Sequence, residues 1–273
     1  MGSMMSDLAG VMPPSQPFLH ALAEDYVEKK VPWNPYCLKQ EALMYQFRAA
    51  AHLDQVTHVP DACVQILFEC DRAAPRALLM GIRLERFECR LKPGCLYFAF
   101  KPYTYLGMKP GAVDITKLIN THADLRDVYP AADVLSDMMI SAGSFDERVR
   151  LMLRYAREYL VDESYTPSLV DYASVAICAA GGNVELGNLD AIMGYSSRYV
   201  RGKFKERYGI SPKQYSGIMR FQSAVRALLS DDGITLSALA SEKGYFDQAH
   251  FNHDFKRFAA ASPGEFRSMI RAG

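Results

Sequence analysis

The sequence lacks the residue spacings that mark metal sites and metal-dependent enzymes. Its six cysteines include no CxxC pair, and its six histidines include no HxH pair followed by a glutamate. Zinc sites and metal-binding β-barrel enzymes need such spacings. His250 and His253 stand three residues apart without a third ligand nearby, and His52 and His58 are interpreted as structural. We therefore expect no metal, no cofactor and no catalytic residue.

A signal peptide and long apolar runs are also missing. No segment is long and apolar enough to cross a membrane, so we expect no membrane partner. A reducing cytoplasm is the compartment consistent with unpaired cysteines. Cys63, Cys70, Cys89 and Cys95 fall in or beside predicted strands, where free cysteine is usually a small buried hydrophobe. Control by cysteine chemistry stays open as an alternative, because a redox sensor requires an exposed cysteine of low pKa.

Net charge is missing as well, because 31 Lys and Arg balance 31 Asp and Glu. Taken over the whole chain, this balance gives no argument for a polyanionic partner. The two parts of the chain differ, however: residues 181–273 hold 13 basic and 9 acidic side chains, whereas residues 1–180 hold 18 and 22. The C-terminal part therefore has a modest positive excess, which attraction to phosphates requires.

The feature that organises the chain is a repeat. Shifting the sequence by 51 residues places Phe204-Lys205 over Phe255-Lys256 and Ser211-Pro212 over Ser262-Pro263. Further upstream, Leu189 and Leu239 each stand five residues before a glycine, with a slip of one residue between the glycine and Phe-Lys. Two copies of one supersecondary unit are therefore predicted.

Each copy is predicted to be a short helix, a glycine turn and a longer helix. The first copy has its glycine at Gly194, followed by Ser196 as an N-cap, and the second has its glycine at Gly244. This arrangement is the helix-turn-helix, whose second helix lies in the DNA major groove. The apolar positions predicted to face the core are Leu186, Leu189, Ile192, Met193, Tyr195, Tyr199, Val200 and Phe204 in the first copy, and Leu236, Leu239, Ala240, Tyr245, His250, Phe251 and Phe255 in the second.

The longer helix of each copy leaves one face free of core residues. We call the first set the first reading face: Ser197, Arg198, Arg201, Gly202 and Lys205. The matching second reading face is Gln248, Ala249, Asn252, His253 and Lys256. Arginine can bond guanine, glutamine and asparagine can bond adenine, and lysine suits phosphate. The second face is less basic, and weaker base reading is expected there.

Residues 211–229 are predicted to form a helix that links the two copies. Ser211 is suited to the N-cap and Pro212 to the first helical position, while Asp231-Asp232-Gly233 is expected to end the helix. A helix of this length spans roughly 28 Å, close to one DNA turn of about 34 Å.

This pattern resembles the DNA-binding domain of the AraC/XylS family of bacterial transcription regulators over about 100 residues. The matching positions are Gly194-Tyr195-Ser196, Tyr199, Phe204-Lys205, Gly209, Ser211-Pro212, Tyr215, Arg220-Phe221, Ala224, Leu228-Leu229, Leu239-Ala240, Gly244-Tyr245, Asp247, Phe251, Phe255-Lys256, Ser262-Pro263 and Phe266-Arg267. The resemblance implies double-stranded DNA as partner, RNA polymerase as a candidate partner, and a homodimer. The chain departs from the family pattern at Asp190, at Gly202 and His253, where arginine is common, and at Ala260, where glycine is usual.

The N-terminal part is predicted to be strand-rich. A helix is expected at residues 18–31, stopped by Pro32 and Pro35, and two further helices at 131–140 and 146–159, the latter with a Ser144–Glu147 capping box. Strands are expected at 43–47, 63–68, 77–82, 84–91 and 95–100. They indicate a small antiparallel sheet or partial barrel. Residues 59–68 with Gly81, Leu91 and Pro93-Gly94 also resemble the N-terminal module of some AraC-type regulators.

Taken together, these features predict an α+β protein of two domains. Residues 1–163 would form a sensory domain, and residues 164–273 an all-α DNA-binding domain that begins with a helix at 169–180. An aromatic cluster around Pro102 is either core packing or the lining of an effector cavity. The candidate ligand residues are Phe68, Phe87, Tyr97, Phe98, Phe100, Tyr103 and Tyr105, with Met108 beside them.

The predicted function is sequence-specific regulation of transcription. The N-terminal domain would sense a small molecule or mediate self-association. Three alternatives stay open: control by a partner protein, control by cysteine chemistry, and an enzyme-like N-terminal domain fused to a DNA reader. The last would need a reactive cysteine or a metal cluster, and neither has the required spacing.

Overall fold

A computed structural model describes residues 13–34, 40–104, 106–184, 195–230 and 233–272. Within them, the N-terminal half is built of antiparallel strands with flanking helices, and the C-terminal part is entirely helical. The predicted α+β fold, with a strand-rich domain followed by an all-α domain, is confirmed.

The strands of the described residues form two sheets. The larger has the order β1-β2-β7-β4-β5-β8, the smaller pairs β3 with β6, and every pairing is antiparallel. The strands are β1 (Ala23–Asn34), β2 (Gln40–Ala49), β3 (Gln55–His58), β4 (Gln65–Glu69), β5 (Arg76–Met80), β6 (Phe87–Arg90), β7 (Leu96–Pro102) and β8 (His122–Asp124). Of these, β2, β4, β5, β6 and β7 correspond to the predicted strands, whereas the short strands β3 and β8 were not predicted.

Strand β7 is the centre of the larger sheet and is buried on both faces. On one face the Phe98 ring lies 6.0 Å from that of Phe145. On the other face Tyr97 stacks on Phe47 at 5.2 Å. Because both faces are covered, the sequence of β7 is an almost unbroken apolar run, which is how a fully buried strand reads.

The prediction of a helix at residues 18–31 was wrong. A helix, α1, covers Pro17–Leu22, and the chain then enters β1, which pairs with β2 from Ala23 opposite Ala49 to Asn34 opposite Gln40. Sheet pairing prevails because Val31 and Trp33 are buried in the core while charged residues cover the outer edge. A charged edge strand that tolerates Pro32 is a usual way to block further pairing. Pro35 lies outside the described residues.

Two helices follow the strands, α2 (Ala132–Ser141) and α3 (Phe145–Tyr155), and α3 continues as a π-helical turn over Ala156–Leu160. Ser144 caps α3 as predicted, accepting a hydrogen bond from the Glu147 backbone N at 3.2 Å. The Glu147 carboxylate, however, accepts from the backbone N of Gly143 at 2.8 Å and not from that of Ser144. The predicted capping box is therefore displaced by one residue.

The helical part contains α4 (Leu169–Ala179), α5 (Ser197–Tyr208), α6 (Pro212–Ser230), α7 (Leu236–Glu242), α8 (Gln248–Ala259) and α9 (Pro263–Ala272). Helix α6 is the predicted linker, and its 19 residues span about 28 Å. The predicted first helix of the first copy, including Leu186, Leu189, Ile192 and Met193, lies outside the described residues, as do Gly194 and Asp231-Asp232.

Several contacts join the helical part to the strand-rich part. The Ser15 backbone N donates to Gln222 Oε1 in α6 at 2.8 Å, and Gln222 Nε2 donates to the carbonyl of Pro60 at 2.6 Å. The Arg86 backbone N donates to the carbonyl of Phe258 in α8 at 3.0 Å. The ring of Phe18 meets that of Phe266 edge-on at 5.2 Å. None of these contacts involves either reading face.

Candidate nucleic-acid interface

The first reading face lies on the solvent side of α5. Ser197, Arg198, Arg201, Gly202 and Lys205 are all exposed. Val200, Phe204 and Tyr208 are buried on the opposite side, at the four-residue spacing of one helical face. In the described part of the chain no side-chain ion pair joins Arg198, Arg201 or Lys205. Three cationic side chains thus project from one face of α5, and no carboxylate of the described residues forms an ion pair with them.

Two aromatic residues of the first unit behave differently from expectation. Tyr195 and Tyr199 are 52% and 47% exposed, and their rings stack at 4.8 Å. They were predicted to face the core with Val200 and Phe204. Instead, Tyr195 and Tyr199 form an exposed pair beside the N-terminal turn of α5.

The N-terminus of α5 is fixed by its cap and its C-terminus by a left-handed glycine. Ser196 Oγ accepts from the backbone N of Tyr199 at 3.3 Å, as the sequence predicted. Gly209 ends the helix at φ 72°, a conformation that costs other residues energy. A Cβ at Gly209 would also lie 2.7 Å from the carbonyl oxygen of Thr116, so the chain approaches the N-terminal half closely here.

A buried carboxylate ties α5 to the rest of the helical part. Asp171 in α4 is fully buried and accepts from Tyr208 OH at 3.2 Å and Arg207 Nε at 3.3 Å. It also accepts from the backbone N of Ser168 at 2.7 Å and from Tyr165 OH. Burial, with the neighbouring Asp171 carboxylate, raises the pKa of Tyr165, which keeps this phenol a donor. Sequence reasoning missed this cluster, although Ser168-x-x-Asp171 is a capping-box spacing.

The second reading face is exposed at four of its five positions. Gln248, Ala249, His253 and Lys256 face solvent, whereas Asn252 is half-buried. Asn252 Oδ1 is buried and has no hydrogen-bond partner among the described residues. The face of α8 is therefore less basic than that of α5 and presents fewer long side chains.

Helix α8 is capped and packed through its aromatic face. Asp247 Oδ1 accepts from the backbone N of His250 at 2.7 Å. The ring of Phe255 lies 4.9 Å from Phe221 of α6 and 5.2 Å from Phe266 of α9. His250, predicted to continue the core, is exposed and meets Tyr245 edge-on at 5.3 Å. The packing orients α8 with its polar face outward.

The aromatic residues proposed as a ligand site are mostly core residues. Phe68, Tyr97, Phe98, Phe100 and Tyr103 are all at most 4% exposed and lie on both faces of the sheet. None of these five lines the cavity described next. Tyr105 lies outside those residues.

Phe87 does line a cavity, a small one of about 20 Å³ between the two sheets. Its walls are polar and include a buried ion pair in which Lys101 Nζ contacts Asp61 Oδ2. Burial alone would lower the pKa of Lys101, but Asp61, with Tyr45 and Cys63, raises it, so the ammonium stays charged. Burial, reinforced by Lys101, lowers the pKa of His58 to about 3 and keeps its imidazole neutral. The overlooked signal was a lysine within the aromatic run of β7.

In the part of the chain that the structure describes, no group of three or more His, Cys, Asp or Glu side chains could hold a metal ion. The helices there include none that is both long enough and apolar enough to span a bilayer.

Two capped helices with exposed polar faces are joined by a linker helix, and the second of them follows a tight turn at Gly244, the arrangement found in helix-turn-helix proteins. The helix-turn-helix domain family matches residues 189–269. The arabinose operon regulatory protein of Escherichia coli (strain K12) is 28% identical over 123 residues, which make up 45% of this chain and 35% of that protein. The chain thus spans about a third of the length of this curated relative.

Three solved structures are similar to this chain at TM-scores below 0.5. The C-terminal domain of AraT, a response regulator from Geobacillus stearothermophilus, is 24% identical, with 38% of this chain and 86% of that chain covered and a TM-score of 0.35. The DNA-binding domain of AdpA in complex with a target DNA is 22% identical, with 39% and 96% covered and a TM-score of 0.36. ToxT from Vibrio cholerae O395 is 10% identical, with 91% and 99% covered and a TM-score of 0.42.

The matched family, the curated relative and the repeated motif agree in the C-terminal part of the chain. Residues 189–269 are thus similar to the DNA-binding domain of AraC-type regulators.

Proposed function

We propose that the chain is a sequence-specific transcription regulator of AraC type that inserts α5 and α8 into successive major grooves on one side of the DNA. The observation that carries the proposal is the position of the two reading faces. Both lie on solvent-exposed sides of capped helices, while the opposite sides of the same helices pack into one aromatic core. A recognition helix needs this division between a packed side and a free side.

The residues of the two faces have different proposed roles. Arg198 and Arg201 read bases in the first groove, and Gln248 and Asn252 read bases in the second. Lys205 and Lys256 bind phosphate, as does the backbone at the helix start after Ser196. The remaining residues of the reading faces, Ser197, Gly202, Ala249 and His253, line the same surfaces. Asp247 caps its helix and is not a phosphate contact.

The N-terminal domain, proposed as residues 1–163, senses a small molecule or mediates self-association, and residues 164–273 bind DNA. The polar cavity beside Phe87 and Lys101 measures about 20 Å³, which is room for one water molecule and not for an effector. A homodimer and contact with RNA polymerase belong to the proposal as family expectations.

The alternatives are less well supported. Burial raises the pKa of Cys89 and of Cys95 to about 11, so neither thiol is poised to react as a thiolate. Burial likewise raises the pKa of Cys63 well above its ordinary value. Cysteine chemistry and a methyl-accepting enzyme both require the opposite shift.

The test is to select DNA sites from a random pool with the full chain. We expect an enriched motif with two half-sites separated by about one helical turn, or about 10 base pairs. A variant in which the exposed Arg154 of α3 is changed to alanine serves as a matched control and should select the same motif. Failure to enrich any motif would contradict the proposal.

A further inference from the structure

One apolar side chain stands alone at the start of the second reading helix. Phe246 is 93% exposed, more than any other large hydrophobic residue among those the structure describes. Exposed apolar side chains are common, but they usually keep much of their surface covered by neighbours. A phenyl ring with almost no cover has a surface available for a partner.

Phe246 accounts for the one-residue slip between the two repeats. In the first copy the N-cap Ser196 directly follows Tyr195. In the second copy Phe246 is inserted between Tyr245 and the N-cap Asp247. The extra residue therefore lies at the turn that leads into α8, and it has no counterpart in the first copy.

The backbone on both sides of Phe246 is held in place. Tyr245 is 6% exposed, and its ring lies 5.2 Å from that of Phe251 and beneath the guanidinium of Arg220 at 5.0 Å. On the other side Asp247 caps the helix through the backbone N of His250. Because both neighbours are anchored, the ring of Phe246 projects from a fixed point and not from a loose loop.

That point is the end of α8 that approaches DNA. In helix-turn-helix proteins the N-terminal residues of the recognition helix contact the base edges. The exposed Gln248 and Ala249 follow Phe246 directly after the N-cap Asp247. A phenyl ring forms no hydrogen bond with a base or a phosphate, and thymine alone presents an apolar group, its 5-methyl, in the major groove.

We propose that Phe246 is a specificity-determining residue of the second half-site and recognises a thymine by contact with its 5-methyl group. This inference rests on the proposed function. It also fits the composition of the second reading face, in which Ala249 and His253 replace the arginine and glycine of the first face and Asn252 is half-buried. In the second groove the apolar contact of Phe246 would discriminate between bases. In the first groove the charged side chains of α5 have that role.

The test uses the selected site and replaces each thymine of the second half-site, one at a time, with deoxyuridine, which lacks only the methyl group. Wild-type protein should lose about three- to fivefold in affinity at one position, the factor expected for one buried methyl group. Phe246→Ala should bind thymine and uracil equally at that position. Phe246→Leu, which keeps an apolar side chain, should retain part of the discrimination.

Val134→Ala is the matched control, because Val134 is a 55% exposed apolar residue on α2 in the N-terminal half. It should keep the wild-type preference for thymine. If Phe246→Ala keeps that preference at every position, the inference is overturned. If wild-type protein selects no site at all, the proposed function fails first, and this outcome is distinguishable because no thymine can then be assigned.

Discussion

The first reading helix is held by a buried carboxylate, and the second is held by aromatic rings that pack edge-to-face or tilted. Asp171 accepts hydrogen bonds from Tyr208 and Arg207 at the C-terminal end of α5. Phe255 of α8 packs between Phe221 and Phe266, with ring centroids about 5 Å apart. Helix α5 also packs through aromatic rings, since Phe204 lies 5.5 Å from Tyr215. The difference lies in the buried charge, which only the first unit carries among the described residues.

The two copies of the repeat therefore share the spacing of their residues but differ in the interactions that hold the reading helix to the rest of the helical part. Apolar packing is non-directional, so it resists small displacements of a helix evenly. A carboxylate with several donors fixes direction as well, because hydrogen bonds weaken steeply when they are bent. We therefore expect the position of α5 to depend on a few polar atoms, and that of α8 on a larger volume of ring contacts.

The largest effect is expected from Phe255→Ala. Phe255 is 1% exposed, and its removal should lower the free energy of unfolding by about 3–5 kcal/mol. Urea denaturation followed by circular dichroism measures this change. Phe246→Ala is the matched control in the same unit and should stay within about 0.5 kcal/mol of wild type. Equal losses for the two variants would contradict the aromatic anchoring of α8.

Asp171→Asn should come next, with a loss of about 2–3 kcal/mol, because an amide cannot satisfy the donors that surround the carboxylate. Footprinting should show weaker protection of the first half-site than of the second. Tyr165→Phe, which removes a single donor, should cost about 1 kcal/mol. Equal weakening of both half-sites would mean that Asp171 stabilises the domain as a whole and does not position α5.

Arg201→Ala should cost about 1–3 kcal/mol of binding free energy and relax specificity at one base pair of the first half-site. Lys205→Ala should weaken binding to all sequences alike and lower the salt dependence by about one counterion. Fluorescence anisotropy on matched and scrambled sites at several salt concentrations separates the two. If both variants lose affinity equally on both DNAs, these roles are wrong.

The smallest effect is expected at the left-handed ends of the reading helices. Ala260 occupies in the second unit the position of Gly209 in the first, at φ 52° against 72°. Ala260→Gly should stabilise the protein by up to about 1 kcal/mol, because glycine adopts positive φ without a steric penalty. Gly209→Ala should destabilise it instead, since the added Cβ would approach the carbonyl of Thr116. Thermal denaturation of both variants gives the sign of each change in stability. A loss of stability in Ala260→Gly would contradict the steric penalty assigned to Ala260.

Local patterns were sufficient for the helix caps and for the buried side of α5. The caps at Ser196 and Ser144 depend on residues three positions apart, and the period of Val200, Phe204 and Tyr208 depends on one helix alone. The same reasoning failed at β1. Residues 18–31 have a helical period, but Val31 and Trp33 are buried only because β2 lies beside them.

The candidate sites also differ in whether local patterns or tertiary contacts determine them. The two reading faces were predictable because a helix fixes which residues share a side. The ligand site stays a prediction, and two of its members, Tyr97 and Phe98, point to opposite faces of β7. Asp61 and Lys101 are 40 residues apart, and only the folded sheet brings them together.

The sequence by itself determined the repeated unit, its caps, its turn residues and the side of each reading helix that faces away from the core. These features follow from steric and hydrogen-bonding preferences within a few residues. Tertiary structure alone decided that β1 is a strand, that Asp171 reaches α5, that Lys101 is buried with Asp61, and that Phe246 stays uncovered. Each of these depends on contacts between residues that are distant in the sequence. The energy of such contacts cannot be deduced from the spacing of neighbouring residues.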